Sequence, residues 1–525
     1  MPEIKINNTS YTADPKETIL KVALRNGIHI PTMCWVKDLN PSTSCMVCMV
    51  QDMRNGKILT SCSALVEDGM DINTENKEVI DMRKSALELL LSEHYGDCEA
   101  PCQRVCPAGM EIPLMNRLIS ENKIAEALKV VRETIALPAI LGYICPAPCE
   151  KACRRKDIDD PVSICLLKRF VAENEYSLEK RHTPSIEPDN NQKIAIIGSG
   201  PAGLAAAFYL NQKGFTCDIY DRNTLPGGKL RTDTKEEDLP RKVLDTDIEN
   251  IKALGVRFYQ NRTITTLDIK NELAEKYRFI LCTTGVDNPI DTNSFENTNC
   301  SEQKELTIFK INNSFFFSPR QLSYKSNMAV RAVALGRMLY EWTMEFIDKQ
   351  TVSLPDKKFN SVYKKISIDE QAEFLKEAGN HFPGNKINVG LQGFTIEQAM
   401  NEASRCLHCD CRKKESCVLR DLSSEYKASQ RVYTVTSPKK TVKNTDHELI
   451  IFENLKCIKC GVCIQTAHEA GDKTGFAFTG RGFDVHIIVP IEKSIRELTI
   501  KTAVNCAKNC PTGAISLKKQ TSIDK

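Results

Sequence analysis

Apolar and polar positions follow different periods along this chain, and each change of period marks a segment. Residues 194–197 are a short unbroken apolar run, the pattern of a strand buried on both faces. Residues 204–213 carry the apolar content of a packed helix, and 217–220 form a second short strand with Asp221 at its end. Nearer the N-terminus, residues 4–6, Tyr11 and the Thr18, Ile19, Leu20 run predict a hairpin followed by a helix over 19–25. Residues 85–92 predict an amphipathic helix leading to His94. Leu114, Met115, Leu118 and Ile119, then Ile124, Ala127, Leu128 and Val131, recur at helical spacing and predict two helices within 112–135. A further helix is expected over 396–405, with Thr395 as N-cap and Gln398 three residues on. No window approaches the ~20 apolar residues that cross a bilayer, so no membrane span is expected.

The first strand and helix are joined by Gly198, Ser199, Gly200, Pro201, Ala202 and Gly203. In this context the glycines permit a tight turn and a close backbone approach to a pyrophosphate resting on the helix N-terminus. An acid about twenty residues on, here Asp221, accepts a ribose hydroxyl. Strand, glycine loop, helix, second strand and terminal acid together predict a Rossmann-like dinucleotide site; a glycine-rich turn without a ligand is the bland alternative.

Composition adds one dominant feature. The chain has 525 residues, enough for several domains, and is 41% hydrophobic. A net charge of +3 argues against a nucleic-acid or membrane-surface role. The first residues lack the apolar core of a signal peptide, so a cytoplasmic location is expected. The outlying number is 23 cysteines, whose close spacings in a large chain point to metal rather than disulfides.

The cysteines fall into groups. Cys34, Cys45, Cys48 and Cys62 supply the four sulfur ligands of a [2Fe–2S] cluster, zinc being the alternative. His94, Cys98, Cys102 and Cys106 recur every four residues, and Cys145, Cys149 and Cys153 repeat that interval. Cys406, Cys409, Cys411 and Cys417 lie within twelve residues and suit a [4Fe–4S] cluster or zinc, with His408 a bystander. Cys457, Cys460 and Cys463 open a bacterial ferredoxin motif that Cys510, followed by Pro511, closes. The ferredoxin rule assigns these four to a single [4Fe–4S], leaving Cys506 as a remnant because position 467 is alanine. Cys217, Cys282 and Cys300 are expected to be structural.

Gly227, Gly228 and Leu230, with Thr284 and Gly285 at a later strand end, resemble the flavin module of the glutamate synthase small-subunit family. That resemblance implies FAD rather than NAD in the glycine loop. The 94–153 layout resembles the N-terminal domain of the same family and of dihydropyrimidine dehydrogenase, which holds two [4Fe–4S] clusters. It implies Cys98, Cys102 and Cys153 at one cluster and Cys106, Cys145 and Cys149 at the other. Each set is one ligand short. His94 lies near the family's missing first cysteine and is either a ligand or a surface or N-cap histidine. Cys165 lies about one helical turn from the second set's missing polar ligand and is either a ligand or a packed thiol. Residues 1–80 and the C-terminal segment resemble the iron–sulfur head subunit of complex I, iron-only hydrogenase and formate dehydrogenase.

The implied architecture is α/β and α+β multidomain. It comprises a β-grasp [2Fe–2S] ferredoxin-type domain (1–84), a helical double-[4Fe–4S] domain (85–185) and a Rossmann-like FAD domain (186–350). A connector carrying the CxxCxCx5C motif (351–440) and a ferredoxin-like [4Fe–4S] domain (441–525) follow. The resembling family inserts an NADPH domain after the Gly285 strand. Here only some twenty polar residues separate Gly285 from Ile308, whereas a βαβ unit takes about thirty or more, so that domain is not expected. Residues 328–342 resemble the family's closing helix, and Asn312, Asn313 and Ser314 stand where its flavin-holding Gly-Asp is expected. FAD, one [2Fe–2S] and three or four [4Fe–4S] clusters are therefore the expected cofactors. The expected role is electron transfer within a complex, without catalytic residues of its own. Its partners would be an NAD(P)H-binding flavoprotein, hydrogenase or formate dehydrogenase subunit, or ferredoxin. A self-sufficient flavin-dependent NAD(P)H or ferredoxin oxidoreductase is the alternative.

Overall fold

A computed structural model describes residues 1–176, 184–285, 290–292, 294–295, 299–302, 305–320, 328–353, 357–378, 392–433, 440–490 and 492–518. The chain divides into two compact units. One comprises Met1–Ala100, Asp356–Ala378 and Leu407–Lys525; the other comprises Pro101–Pro355 and Gly379–Cys406. The polar 286–307 stretch and the 351–440 connector lie partly outside the described residues.

The first unit opens with a five-stranded sheet of β1 (Glu3–Ile6), β2 (Thr9–Thr12), β3 (Met49–Asp52), β4 (Lys57–Thr60) and β5 (Met70–Asn73), in the order β2-β1-β5-β3-β4. Ile4 and Ile6 on β1 and Met70 and Ile72 on β5 point to one buried face. Their parallel register sets Ile4 against Met70 and Ile6 against Ile72, and a one-residue slip would turn all four to water. The helix Ile19–Arg25 packs on that face, its start capped by the Thr18 hydroxyl. The helix Lys77–Glu93 starts eight residues before the predicted 85–92 segment, because the Asn76 side chain accepts from the Val79 N–H at 2.9 Å.

In the second unit the helices Ile112–Ser120 and Ile124–Arg132 bury the apolar stripes read from the sequence. A seven-stranded sheet follows: β6 (Lys193–Ile197), β7 (Thr216–Tyr220), β8 (Arg257–Tyr259), β9 (Phe279–Cys282), β10 (Asn299–Glu302), β11 (Leu306–Ile311) and β12 (Ser314–Pro319). Its order is β10-β11-β12-β9-β6-β7-β8, parallel from β12 through β8 with two antiparallel strands at one edge. Cys217 and Cys282 are fully buried within it; the Cys300 side chain lies outside the described ones. The helices Pro201–Gln212 and Ala329–Lys349 pack together where Gly336 removes a side chain. A Cβ there would meet the Ala202 carbonyl oxygen at 2.3 Å.

One expectation is corrected by this topology. Asn312 and Asn313 form the tight turn of the β11–β12 hairpin, with Ile311 paired to Ser314 and Asn312 at φ +53°. Because β12 runs parallel to β9 and β6, this turn sits at the end of the sheet opposite the glycine loop. It is not the place of a flavin-holding Gly-Asp.

The first unit closes with β13 (Lys443–Asn444), β14 (Ile450–Glu453) and β17 (Ile515–Leu517) in one sheet, and the hairpin of β15 (Ala477–Thr479) and β16 (His486–Ile488). The helices Val462–Glu469 and Ile500–Asn509 pack on each other, burying Cys463 and Cys506.

Candidate cofactor and metal sites

The glycine loop lies at the C-terminal end of β6, where a Rossmann-like sheet binds its ligand. Gly198 adopts φ +110°, and its N–H donates to the Tyr220 carbonyl at 2.8 Å. A Cβ on Gly203 would lie 1.9 Å from the Gly198 carbonyl oxygen, so the turn closes only over glycine. The second glycine pair packs against this loop. The Gly227 N–H donates to Ser199 O at 3.0 Å, and a Cβ on Gly228 would come within 2.9 Å of the Gly200 Cα. By contrast, a Cβ on Gly200 would meet nothing within 4 Å. The space before the twelve-residue helix beginning at Pro201 is thus open to a pyrophosphate, and the residues fit the group. Ala202 and Leu230 are buried beneath the loop and its partner pair. On β9's far side, Thr283 donates its hydroxyl to Ile197 O and Gly198 O, and Gly285 (φ +78°) faces open space; Thr284 lies 3.5 Å from the Cys282 sulfur.

Asp221 differs from the expected free ribose acceptor. One of its oxygens accepts from both the Ser199 N–H and hydroxyl at 2.6 Å, and the other from Asn223. In this structure the acid anchors the loop itself. A surface groove lined by Lys193, Lys276, Arg278, Phe315 and Phe346 lies at the opposite end of the strands.

In the same unit, Cys106, Cys145, Cys149 and Cys165 converge on Lys168. Cys165 sits in the first turn of the helix Ile164–Tyr176, which carries it to Cys145 and Cys149. Its thiol is pulled down by Cys145 but pushed up by Cys149 and by burial, to about 11. Lys168, one turn on, is fully buried with its ammonium 3.8 Å from the Cys165 sulfur. Burial would lower its pKa, but the thiols of Cys165, Cys145, Cys149 and Cys106 hold it raised. Sequence reading missed this lysine, although its i+3 spacing from Cys165 on an apolar helix was a usable signal. Cys102 is buried on the helix Pro101–Val105, which packs against Pro148–Lys151, the helix leading to Cys153. Cys406 follows the buried helix end at Arg405.

In the other unit, Cys34 contacts Cys45 and Cys62, and Cys62 contacts Cys48. Cys45 and Cys62 hold the Cys34 thiol far below the ordinary range, and Cys62 lowers Cys48 to about 7. Four thiols sharing charge this closely are the donor set a [2Fe–2S] cluster takes. Cys457, Cys460, Cys463 and Cys510 line one small cavity with Phe452, Ile487 and Ile515. Burial pushes Cys457 up to about 12, the cost of a thiolate that only a cation nearby would offset. Cys506 is buried in the core behind them.

Cys98, expected with Cys102 and Cys153, lies beside Cys411. The Cys411 N–H donates to Cys98 O at 3.1 Å, and the Cys417 thiol is raised by burial and by Cys411 and Cys98. Cys409 lines a cavity with Gly96, Asp97 and Lys456. His94 is buried, and its Nδ1 lies 3.1 Å from the Lys456 carbonyl oxygen. A carbonyl only accepts, so Nδ1 carries the proton and Nε2 the lone pair, the form in which imidazole binds metal. Burial and then the Lys456 charge lower the His94 pKa to about 4, so the ring is neutral at pH 7. Beneath these groups runs a buried ion network that sequence reading did not find. Glu377 accepts from Arg412 at 2.5 Å and Lys443 at 2.9 Å, while Glu453 bridges Lys443 and Lys456.

Comparison with known proteins agrees with this inventory at the level of domains. Residues 2–77 match the family model of the 2Fe-2S iron–sulfur cluster binding domain. Residues 90–180 match that of dihydropyrimidine dehydrogenase domain II, with its 4Fe-4S cluster, and residues 196–257 that of an NAD(P)-binding Rossmann-like domain. The chain is thus a multidomain iron–sulfur protein with a Rossmann-like dinucleotide-binding domain. Among similar proteins are the NADPH-Fe(3+) oxidoreductase subunit beta of Geobacter sulfurreducens and the NADP(+)-dependent formate dehydrogenase subunit beta of Moorella thermoacetica. The first is 36% identical over 190 residues, 35% of this chain and 28% of that protein. The second is 34% identical over 208 residues, 36% of this chain and 29% of that protein. The NAD-dependent dihydropyrimidine dehydrogenase subunit PreT of Escherichia coli is 33% identical over 192 residues, 36% of this chain and 46% of that protein. The matched stretches span less than half the length of each of these relatives. All three are named as subunits of oxidoreductases.

Proposed function

We propose that this chain is an iron–sulfur flavoprotein subunit of a larger oxidoreductase, exchanging electrons with a partner subunit that handles NAD(P)H, hydrogen or formate. The observation that carries this reading is contiguity among the cysteine sets of the first unit. The Cys460 thiol is raised in part by Cys34, and Cys417 in part by Cys510, so each set lies within electrostatic reach of the next. Cys34, Cys45, Cys417 and Cys460 also share one apolar core, which excludes water from between them. The printed names of the relatives, each a subunit of an oxidoreductase, support the same reading.

FAD is proposed for the glycine loop, on the ground that a second glycine pair, Gly227–Gly228, presses against the first. When bound, FAD would accept two electrons together and the clusters one each. The chain's own residues would position these groups and tune them. The helix beginning at Pro201 offers its unpaired N–H groups to a pyrophosphate, and Lys168 places a buried positive charge beside four thiolates. The match of 196–257 to an NAD(P)-binding model favours a second reading, a self-sufficient oxidoreductase whose loop takes the nicotinamide nucleotide itself.

Metal and flavin analysis of anaerobically purified protein tests the first reading. One [2Fe–2S] and about four [4Fe–4S] clusters with stoichiometric FAD are expected. Iron near two per chain with stoichiometric zinc would overturn it.

A further inference from the structure

The four cysteines of 406–417 stand within twelve residues, yet their backbone partners differ along the run. Cys406 belongs to one compact unit, and Cys409, Cys411 and Cys417 to the other. We infer that this run serves two clusters: Cys98 joins Cys411 and Cys417 at one, and Cys406 joins Cys102 and Cys153 at the other. The inference rests on the iron–sulfur reading above and reassigns its ligands.

Geometry within each unit carries it. In the first, the Cys411 N–H donates to Cys98 O at 3.1 Å, holding the 95–98 loop against the 409–411 loop. The Ser361 N–H points at the Cys98 sulfur from 3.4 Å, the kind of N–H to sulfur bond that supports a ligating thiolate. Gly513 leaves room for the Cys411 side chain: a Cβ there would fall 2.2 Å from the Cys411 sulfur.

In the second unit, the link runs through Arg155. This side chain, fully buried two residues after Cys153, donates to the Arg405 carbonyl at 3.1 Å, one residue before Cys406. Arg405 answers by donating to Asp159 at 3.0 Å and to Asp160 O at 2.6 Å, so the 153–160 loop and the 405–406 turn are cross-braced. Glu402 reinforces the brace by accepting from the Ser163 N–H at 2.7 Å. Cys102 comes from the helix packed against the segment that leads into Cys153. A ligand run split between two clusters has a precedent in two-cluster ferredoxins, where the cysteine before proline serves the neighbouring cluster.

The test uses the whole chain, purified anaerobically, in two ways. First, Cys98→Ser, Cys411→Ser and Cys406→Ser variants are compared by iron content and EPR. Cys98→Ser and Cys411→Ser should perturb the same signal, and their double variant should lose no more than one cluster, about four iron atoms. Cys406→Ser should perturb a different signal, with losses that add to those of Cys411→Ser. Second, wild-type protein is stripped of iron in graded steps with a chelator and its exposed thiols are alkylated and mapped. Cys98 should become reactive together with Cys411 and Cys417, and Cys406 together with Cys102 and Cys153, whether or not the variants fold. A shared signal and shared release for Cys406 and Cys411, with Cys98 released alongside Cys102, would overturn the inference. Wild-type protein holding zinc in place of iron would instead sink the iron–sulfur reading itself.

Discussion

Single residues show how the chain treats charge it has buried. Lys168 stays charged in the interior because four thiols surround it. A positive charge beside a cluster favours its reduced, more negative form. Lys168→Met should therefore lower the midpoint potential of one [4Fe–4S] centre, read by redox titration of its EPR signal; an unmoved midpoint would leave the lysine a packing residue. His94 presents a neutral ring whose Nδ1 proton is tied to the Lys456 carbonyl. His94→Ala should erase or shift one EPR signal and spare the rest, and an unchanged spectrum with unchanged iron returns it to a structural part. Glu377 answers Arg412 and Lys443 in the interior. Despite burial, the Lys443 and Arg412 charges hold its pKa below the usual carboxylate range. A depressed carboxyl contributes stability that is complete above its unfolded pKa, about 4.3, and is lost as pH falls through the lower folded value. Glu377→Gln should cost about 3–5 kcal/mol at pH 7, where it leaves two buried cations underpaired, and the penalty should shrink in acid. Denaturant unfolding at pH 7 and near pH 3 checks both the size and the sign.

At the scale of elements, the periodic segments were the legible ones. The stripes of 112–135 and the strand–loop–helix run at 194–213 appear as helices and strands because each buries one continuous apolar face or run. The Lys77–Glu93 helix was underestimated, since its first half shows only scattered apolar residues and is started by a cap rather than by a stripe. The Asn312–Asn313 turn was misplaced because strand direction, which sets the end of the sheet a turn occupies, is not written in local sequence. Helix contact at Gly336 makes a sharp demand on the site. Gly336→Val would drive a side chain into the Ala202 carbonyl, directly behind the glycine loop. The expected result is roughly 1–3 kcal/mol of destabilisation, seen as a lower Tm, together with weaker retention of the bound dinucleotide in gel filtration. Equal dinucleotide content at lower Tm would confine Gly336 to packing.

For the molecule as a whole, the decisive question is whether the chain oxidises NAD(P)H alone. Only one glycine fingerprint is present in the sequence, and the segment after Gly285 is too short for a second βαβ unit. Stopped-flow mixing of the FAD-loaded chain with NADH or NADPH should show little bleaching of the flavin band until a native partner is added. Rapid, saturable reduction by either nucleotide without a partner would promote the self-sufficient reading. The residue types settled much of this protein by themselves. Glycine at 198 and 203 dictates a turn that no other residue closes, glycine at 200 leaves the space before the helix open, and cysteines at two- and three-residue gaps announce metal wherever the chain goes. Which cysteines meet was decided only by the tertiary structure. Spacing constrains neighbours a turn or a loop apart, so it could gather Cys457, Cys460 and Cys463. It could not bring Cys98 to Cys411, some three hundred residues away in sequence, or the 153–155 segment to Arg405. Those pairings depend on backbone hydrogen bonds and a buried arginine between segments that share no periodicity, and each exists only once its own compact unit has folded.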